Sequence, residues 1–281
     1  MEYRQLVVGQ KPGATLPSPP PLVPQDADLY IHPHLTQDYD QGKGRSLRVL
    51  EPMSAGTVLV ADPPYAVVPA ENSSTYHRTH DFEYAWIKQH GKTIRKKEGE
   101  YALSMLWIIV RMHAGRHLEI QGESGQIPVG WKAMEDLRDN RDLWPQEQLD
   151  TWRRQIETYF IDHWGLPDTE EVLMLICKEE ANTFGLYPGA TGIIQSTDKP
   201  HKRGPQYALG CYPRASMVNH SCFPNITWAA DERGRLVFTT SRDIAAGEEC
   251  CIAYFDLQRQ TKDLFTFACT CERCLREGWN A

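Results

Sequence analysis

The amino-acid sequence predicts an α+β fold that is rich in β-strands, on the basis of three observations. Short β-type runs separated by turn residues occupy 46–68 and return at 226–254. The stretch between them, from 72 to 180, has helical periodicity, and a cysteine cluster follows near the C-terminus. Strands that enclose a run of helices, without regular alternation of the two, are typical of the α+β class.

The composition indicates a folded protein without a strong attraction to nucleic acid. The 281 residues include 30 Lys plus Arg and 37 Asp plus Glu, a formal charge of −7, and 41% of all residues are apolar. This apolar fraction is enough for a sizeable core, and the acidic balance argues against direct nucleic-acid binding. The sequence shows neither a secretion signal nor a run of about 20 apolar residues, so we expect an intracellular protein, nuclear or cytoplasmic, without a membrane partner.

The first 40 residues are predicted to form an extended and partly disordered arm, because six prolines fall within the first 24 positions. Runs of apolar and β-branched residues after this arm predict strands at 46–50, 57–60, 65–68, 226–228, 235–240 and 250–254. The turn residues at 231–234 are expected to join two of these strands into a hairpin.

Between the two strand regions, apolar residues follow the period of a helix. Leu103, Leu106 and Val110 recur at the i, i+3, i+7 spacing of one helix face. Another helix is expected to begin at Asp168, whose side chain can act as the N-cap, with Glu171 three residues later in a capping-box-like pair. The sequence therefore predicts a helical insertion between the strands.

The cysteine cluster has the spacing of a metal site. Cys269, Cys271 and Cys274 form a C-x-C-x-x-C pattern, in which disulfide pairing would always leave one thiol over. Three thiolates at this spacing can converge on one tetrahedral zinc, which takes four nitrogen or sulfur ligands. The best candidate for the fourth ligand is Cys222, because it lies in a tight polar turn.

Three motifs occur in a fixed order in the second half of the sequence. They are N-H-S-C-x-P-N at 219–225, G-E-E at 247–249 followed by Tyr254, and the C-x-C-x-x-C cluster. In this order the motifs resemble those of the SET-domain protein lysine methyltransferases. The segment 44–49 is similar to the opening hairpin of that family.

The resemblance is greatest to the SET-and-MYND subgroup, through the segments 181–186 and 210–213. Two parts of that subgroup are not found at their expected places. Residues 69–120 contain no cysteine for a MYND zinc finger, and seven residues follow the cysteine cluster where a helical C-terminal domain would begin. Ser46 also stands where the family usually has glycine. We therefore expect a SET core with a zinc-binding tail, present as a monomer.

The resemblance implies a SET fold, with several short sheets and a knot-like crossing of the chain at the active site. It divides the sequence into a Pro-rich arm at 1–40, an N-terminal SET segment at 42–70, a helical insert at 71–180, a C-terminal SET segment at 181–257 and a post-SET zinc tail at 258–281.

The activity implied by the resemblance is methyl transfer from S-adenosylmethionine to the side-chain amine of lysine in a protein substrate. The expected partner is therefore a protein with an exposed lysine, histone or non-histone, and the expected cofactors are S-adenosylmethionine and zinc. Two alternatives stay open at this point. One is a catalytically inactive SET-fold interaction module, and the other is methyl transfer to a different nucleophile on the same fold.

The resemblance also assigns roles to individual residues. Tyr254 is expected to be the catalytic tyrosine, with its hydroxyl near the methyl group and the amine. The cofactor is expected to contact Lys43, Arg45, Asn182, Ser216, Val218, Asn219, His220, Tyr254 and Phe267. The implied zinc ligands are Cys222, Cys269, Cys271 and Cys274. Tyr212 and Phe265 are expected to line the substrate channel, where Phe265 in place of tyrosine predicts products beyond monomethyllysine. Glu248 and Glu249 are expected to be structural.

Overall fold

A computed structural model of the protein describes residues 28–40, 43–69, 81–122, 130–160, 168–189, 191, 204, 206–254 and 269–277. These residues form two compact units. Described residues within 64–186 and 206–213 make up the first unit, and those within 28–63, 187–204 and 214–277 make up the second. The six prolines within the first 24 residues lie outside the described residues.

The secondary structure confirms the α+β class, although helices hold more of the described residues than strands do. The strands are β1 (Tyr30–Ile31), β2 (Leu35–Asp40), β3 (Gly44–Val49), β4 (Val58–Asp62), β5 (Ala66–Pro69), β6 (Thr183–Leu186), β7 (Ala208–Cys211), β8 (Asn219–His220), β9 (Ile226–Ala230), β10 (Leu236–Thr240) and β11 (Cys251–Ile252). The helices are α1 (Asp81–Lys97), α2 (Glu100–Ile120), α3 (Trp131–Glu135), α4 (Gln146–Tyr159), α5 (Thr169–Asn182) and α6 (Glu272–Glu277).

Helix α2 forms the core of the first unit. Its residues 105–115 are all buried, so the helix is covered on every side and not only along the single stripe that the sequence predicted. It packs against α1, α3, α5 and β5, and β5 belongs to an antiparallel sheet with the order β5-β7-β6. No helix in the described part of the chain is long and apolar enough to cross a bilayer.

A buried ion pair joins α1 to α2 in the first unit. Glu83 is fully buried and accepts hydrogen bonds from Trp107 Nε1 at 2.7 Å and from Arg111 Nε at 2.8 Å. Arg111 also donates to the carbonyl of Val67 in β5. Because the charge of Arg111 is nearly enclosed, it depends on the carboxylate of Glu83 for its stability inside the protein.

The second unit contains the predicted hairpin. Strands β9 and β10 pair antiparallel, with Phe238 opposite Trp228, and the four-stranded sheet has the order β1-β4-β10-β9. In the turn, the side chain of Asp231 accepts from the backbone N–H groups of Arg233 and Arg235, and Gly234 has a φ of +76° that favours glycine. The hairpin prediction is confirmed.

The pairing of β2 with β3 was not predicted from the sequence, because β2 carries polar residues without an apolar alternation. The two strands pair antiparallel from Leu35 opposite Val49 to Asp40 opposite Gly44. The other edge of β3 receives the segment 247–250, since the N–H of Cys250 donates to the carbonyl of Leu47 at 2.8 Å. This segment leads directly into β11, which is shorter than the strand predicted at 250–254.

The predicted start of the last long helix is confirmed. Asp168 is the N-cap of α5, and its carboxylate accepts from the N–H groups of Glu170 and Glu171 at 2.9 and 3.0 Å. An N-cap is a local interaction between neighbours in sequence, which is why the residue pattern was sufficient to predict it.

Removal of the Glu83 carboxylate should strongly destabilise the protein. Glu83→Ala leaves Arg111 buried without its counter-charge, and we expect the free energy of unfolding to fall by about 3–5 kcal/mol. The control is Arg95→Ala, which breaks an Arg–Glu pair whose arginine side chain is 52% exposed, and which should cost less than about 1 kcal/mol. Urea unfolding followed by tryptophan fluorescence measures both. Losses of similar size in the two variants would contradict the role given to the buried pair.

Candidate functional site

The N-H-S-C motif and the strand before Tyr254 lie side by side in the second unit. Strands β8 and β11 pair in parallel, with Asn219 opposite Cys251 and His220 opposite Ile252. The pairing continues beyond β8, since the N–H of Ser221 donates to the carbonyl of Ile252 at 2.9 Å. Parallel strands run in the same direction, so the chain must return to the end at which β8 begins before it enters β11.

The side chain of Asn225 links the turn after β8 to the segment that leads into β11. Its side-chain oxygen accepts from the N–H of Cys251 at 2.8 Å, and its amide nitrogen donates to the carbonyl of Glu249 at 2.8 Å and to the carboxylate of Glu248 at 3.1 Å. The side chain is buried and both of its polar ends are used, so it acts as a fixed link between the turn and the segment before β11. Asn225 belongs to the N-H-S-C-x-P-N motif, but this role does not follow from the sequence.

Tyr254 is held by two hydrogen bonds to the segment that contains β8. Its hydroxyl donates to the carbonyl of Val218 at 2.8 Å, and its backbone N–H donates to Nδ1 of His220 at 3.1 Å. Burial raises the pKa of the Tyr254 hydroxyl above its ordinary value, so the group keeps its proton at neutral pH. The hydroxyl proton is therefore directed at Val218, and a phenolic oxygen that donates in this way is also able to act as an acceptor.

His220 connects Tyr254 with the cysteine cluster. Burial lowers the pKa of His220 to about 4, which makes the ring neutral at pH 7. Since Nδ1 accepts from Tyr254, the proton of the neutral ring lies on Nε2, which is 3.2 Å from the sulfur of Cys222. The ring is thus oriented by a donor on one side and by a sulfur acceptor on the other.

The side chain of Asn219 is oriented by two acceptors. Its amide nitrogen donates to the carbonyl of Arg45 at 3.0 Å and to Oε1 of Glu249 at 2.9 Å, while Lys43 Nζ lies 2.9 Å from Oε2 of the same carboxylate. Both amide hydrogens are therefore used, and the side-chain oxygen, which accepts no hydrogen bond within the described residues, is the group available to a ligand.

Ser46 has a buried hydroxyl without a partner. The residue is 1% exposed, it follows Arg45 in β3, and its Oγ makes no hydrogen bond to any part of the chain that the structure describes. An unsatisfied hydroxyl in such a place costs about 1–3 kcal/mol, which a ligand with a polar group could offset. Together with the free acceptor of Asn219 and the cation of Lys43, this donor set fits the amino-acid end of S-adenosylmethionine, a group with both an ammonium and a carboxylate.

Ser216 and Val218 lie on a short segment that is bound by a residue distant in sequence. Ser216 is within the 3-10 turn Ala215–Met217, and Val218 follows it. The carboxylate of Asp62, at the end of β4, accepts from the N–H of Ala215 at 2.7 Å. The sequence analysis did not select Asp62. The signal that could have identified it is an acidic residue that ends an otherwise apolar strand, V-L-V-A-D.

The four predicted zinc ligands come together. The sulfurs of Cys222, Cys269, Cys271 and Cys274 all lie within 4.8 Å of one another, and those of Cys222 and Cys274 are 3.4 Å apart. A tetrahedral zinc with Zn–S bonds of about 2.3 Å requires sulfur–sulfur separations of about 3.8 Å. All four cysteines are free of disulfides, three are buried and Cys271 is half-buried. The arrangement fits zinc, and it fits a closed structural site because all four positions are taken by protein sulfurs.

The remaining predicted residues belong to the first unit or fall outside the described residues. Asn182, at the end of α5 in the first unit, donates to the carbonyls of Arg138 and Lys178, each at 2.7 Å. Tyr212, also in the first unit, is fully buried with its ring 6.1 Å from that of Phe184. The predicted positions Phe265 and Phe267 lie outside the described residues, so their roles stay predictions.

Comparison with known proteins gives one family match. The family model of the SET domain matches residues 44–255. The human N-lysine methyltransferase SMYD2 is 22% identical over 271 residues, which cover 83% of this chain and 58% of that protein. The Arabidopsis thaliana histone-lysine N-methyltransferase ASHR2 is 29% identical over 120 residues, 38% of this chain and 28% of the relative. This chain therefore spans well under two thirds of the length of these relatives.

Among solved structures, that of Rubisco LSMT bound to AdoMet is similar with a TM-score of 0.47 and 14% sequence identity. The match covers 82% of this chain and 50% of that chain.

The purified protein should contain about one zinc per chain, held by the four-sulfur cluster. Cys222→Ser should lower this stoichiometry and the melting temperature together, because metal binding and folding of the cluster are coupled. Cys177→Ala is the matched control, since Cys177 is a buried cysteine outside the cluster, and it should retain the zinc. Elemental analysis by mass spectrometry measures the metal. A metal-replete protein without zinc, or an unchanged content in Cys222→Ser, would show that the cluster is not a zinc site.

Proposed function

This chain belongs to the SET-domain family, whose model matches residues 44–255, and we propose that it transfers a methyl group from S-adenosylmethionine to the side-chain amine of lysine in a protein substrate. The family resemblance inferred from the motifs is confirmed. The observation that carries the proposed activity is the parallel pairing of β8 and β11, because it is accompanied by a hydrogen bond from the Tyr254 hydroxyl to the carbonyl of Val218, the residue before Asn219.

The reaction requires a neutral lysine amine in line with the methyl group. When bound, S-adenosylmethionine supplies that methyl group on a positively charged sulfonium. A free lysine has a pKa of about 10.4, so its deprotonation at pH 7 costs about 4–5 kcal/mol. A nearby positive charge and a channel that excludes water both lower the pKa of the amine. For this reason the proposal needs no carboxylate as general base, and Glu248 and Glu249 keep structural roles.

Tyr254 would orient the amine. Its proton is directed at Val218, so the phenolic oxygen can accept a hydrogen bond from the incoming lysine amine. An amine that donates to this oxygen has its nitrogen lone pair held in a defined direction, and such alignment of the reacting atoms supplies much of the acceleration in a displacement reaction. The oxygen acts as an acceptor and a positioning group, and no proton is removed from the tyrosine.

The amino-acid end of the cofactor would be held by groups around β3 and β8. The free side-chain oxygen of Asn219 is an acceptor suited to an ammonium, and Lys43 and Arg45 provide positive charge for a carboxylate. The buried hydroxyl of Ser46 can serve as a donor or an acceptor. We propose that Ser216, Val218 and His220 line the same pocket through their backbone, while cofactor contacts by Asn182 and Phe267 stay expectations that rest on the family resemblance alone.

The proposed substrate is a protein with an exposed lysine, and the proposed product includes states beyond monomethyllysine, because Phe265 lacks the hydroxyl of a tyrosine. The formal charge of −7 complements a lysine-rich segment weakly. The zinc site requires reduced thiols, which supports our placement of the protein in a reducing compartment, the cytoplasm or the nucleus.

Tyr254→Phe should lower kcat by about 100-fold or more, with little change in the dissociation constant for S-adenosylmethionine, because the hydroxyl acts on the reacting atoms. The assay measures transfer of a labelled methyl group to an array of lysine peptides, each paired with an alanine-substituted version. Tyr39→Phe is the control, because Tyr39 is an exposed tyrosine, and it should retain full activity.

Two outcomes would contradict the proposal. Wild-type protein that binds S-adenosylmethionine but methylates no lysine peptide would favour a SET-fold interaction module without catalysis. Full activity in Tyr254→Phe would remove the tyrosine from the mechanism.

A further inference from the structure

We propose that Asp62 is a positioning residue for methyl transfer, which fixes the backbone of residues 214–218 and, through it, the carbonyl that orients the Tyr254 hydroxyl. The inference rests on the proposed function. It adds a residue that lies far from Tyr254 in sequence and belongs to none of the motifs.

The position of Asp62 would ordinarily hold an apolar residue. Every residue of β4 is buried, and the strand lies between β1 and β10 in the sheet, with Asp62 opposite Leu236. Asp62 itself is 0% exposed. A carboxylate in such a place is strongly disfavoured unless the protein supplies hydrogen-bond donors for it. Burial raises the pKa of Asp62 to about 7, even though nearby donors favour the charged form.

The donors come from the segment that leads into β8. A single carboxylate oxygen, Oδ2, accepts from the N–H of Arg214 at 3.0 Å and from the N–H of Ala215 at 2.7 Å. These N–H groups begin the 3-10 turn Ala215–Met217, where backbone donors have no acceptor within the turn itself. Asp62 therefore caps this turn from another strand, although it lies more than 150 positions earlier in the sequence.

The capped turn leads directly to the reacting centre. Val218, the residue after the turn, supplies the carbonyl that accepts from the Tyr254 hydroxyl, and Asn219 follows in β8. A small shift of this backbone would move the acceptor and with it the direction of the tyrosine oxygen. Misplacement of a reacting group by about 1 Å can cost about 100-fold in rate, so the cap acts on kcat through geometry.

The second carboxylate oxygen shows that charge pairing is not the main contact. Oδ1 of Asp62 makes no hydrogen bond within the described residues, and the nearest guanidinium nitrogen, Nη1 of Arg214, is 4.0 Å away. Because one oxygen makes both hydrogen bonds, an asparagine can reproduce them with its carbonyl oxygen, whereas a leucine of similar shape cannot. A comparison of Asp62→Asn with Asp62→Leu therefore separates the effect of losing the two hydrogen bonds from the effect of replacing the buried side chain.

The test compares Asp62→Leu, Asp62→Asn and Thr240→Val in the full-length protein. Asp62→Leu should lower kcat by about tenfold to 100-fold on the lysine peptide that the wild type methylates best, with a much smaller change in KM. Asp62→Asn should retain most of kcat. Thr240→Val removes another buried polar contact in the same sheet, at the turn of residues 54–57, and should lower the melting temperature without changing kcat.

A readout that does not need catalysis is amide hydrogen exchange of the peptide covering 216–221, followed by mass spectrometry. Exchange in this peptide should rise in Asp62→Leu and stay near the wild-type rate in Asp62→Asn and Thr240→Val.

If exchange is unchanged in Asp62→Leu, the inference is overturned, whether or not the wild type transfers methyl groups. A kcat that falls only in proportion to the fraction of unfolded protein would also overturn it. Failure of the wild type to methylate any peptide would refute the proposed function while the exchange data still decide the role of Asp62.

Discussion

The functional site depends on the parallel pairing of Asn219–His220 with Cys251–Ile252. Two-residue strands form few hydrogen bonds of their own, so the pairing needs support from neighbouring groups. That support comes from Asn225, whose amide bonds to the segment before β11, and from β3, whose free edge pairs with 247–250. Once the two strands are adjacent, Tyr254 is placed against Val218 and His220, and Asn219 is placed against β3.

The same pairing links Tyr254 to the cysteine cluster. Neutral His220 accepts from the backbone of Tyr254 and directs its other nitrogen at Cys222, one of the four clustered sulfurs. A zinc held there would therefore fix the turn that carries His220, and the tyrosine through it. Before β8 in the sequence, Asp62 caps the turn that leads into this strand. The short segment 214–222 is thus held at its start by Asp62, which belongs to none of the motifs, and at its end by the cluster around Cys222, which the sequence predicted.

The sequence predicted the features that depend on neighbouring residues. The hairpin at 231–234, the N-cap at Asp168 and the convergence of Cys269, Cys271 and Cys274 follow from local spacing. The motif resemblance predicted the family, which the match to the SET-domain model confirms. What the sequence could not provide was interactions between distant positions, such as the cap by Asp62 and the bonds of Asn225. The pairing of β2 was also hidden, because its side chains are polar and its stability comes from backbone bonds to β3.

The most direct test of this account is a calorimetric titration of the zinc-replete protein with S-adenosylmethionine. If the paired strands β8 and β11 form part of a cofactor pocket, we expect saturable binding of about one molecule per chain, with a rise in melting temperature in the presence of excess cofactor. A folded, zinc-loaded protein that shows neither heat of binding nor a change in melting temperature would contradict it.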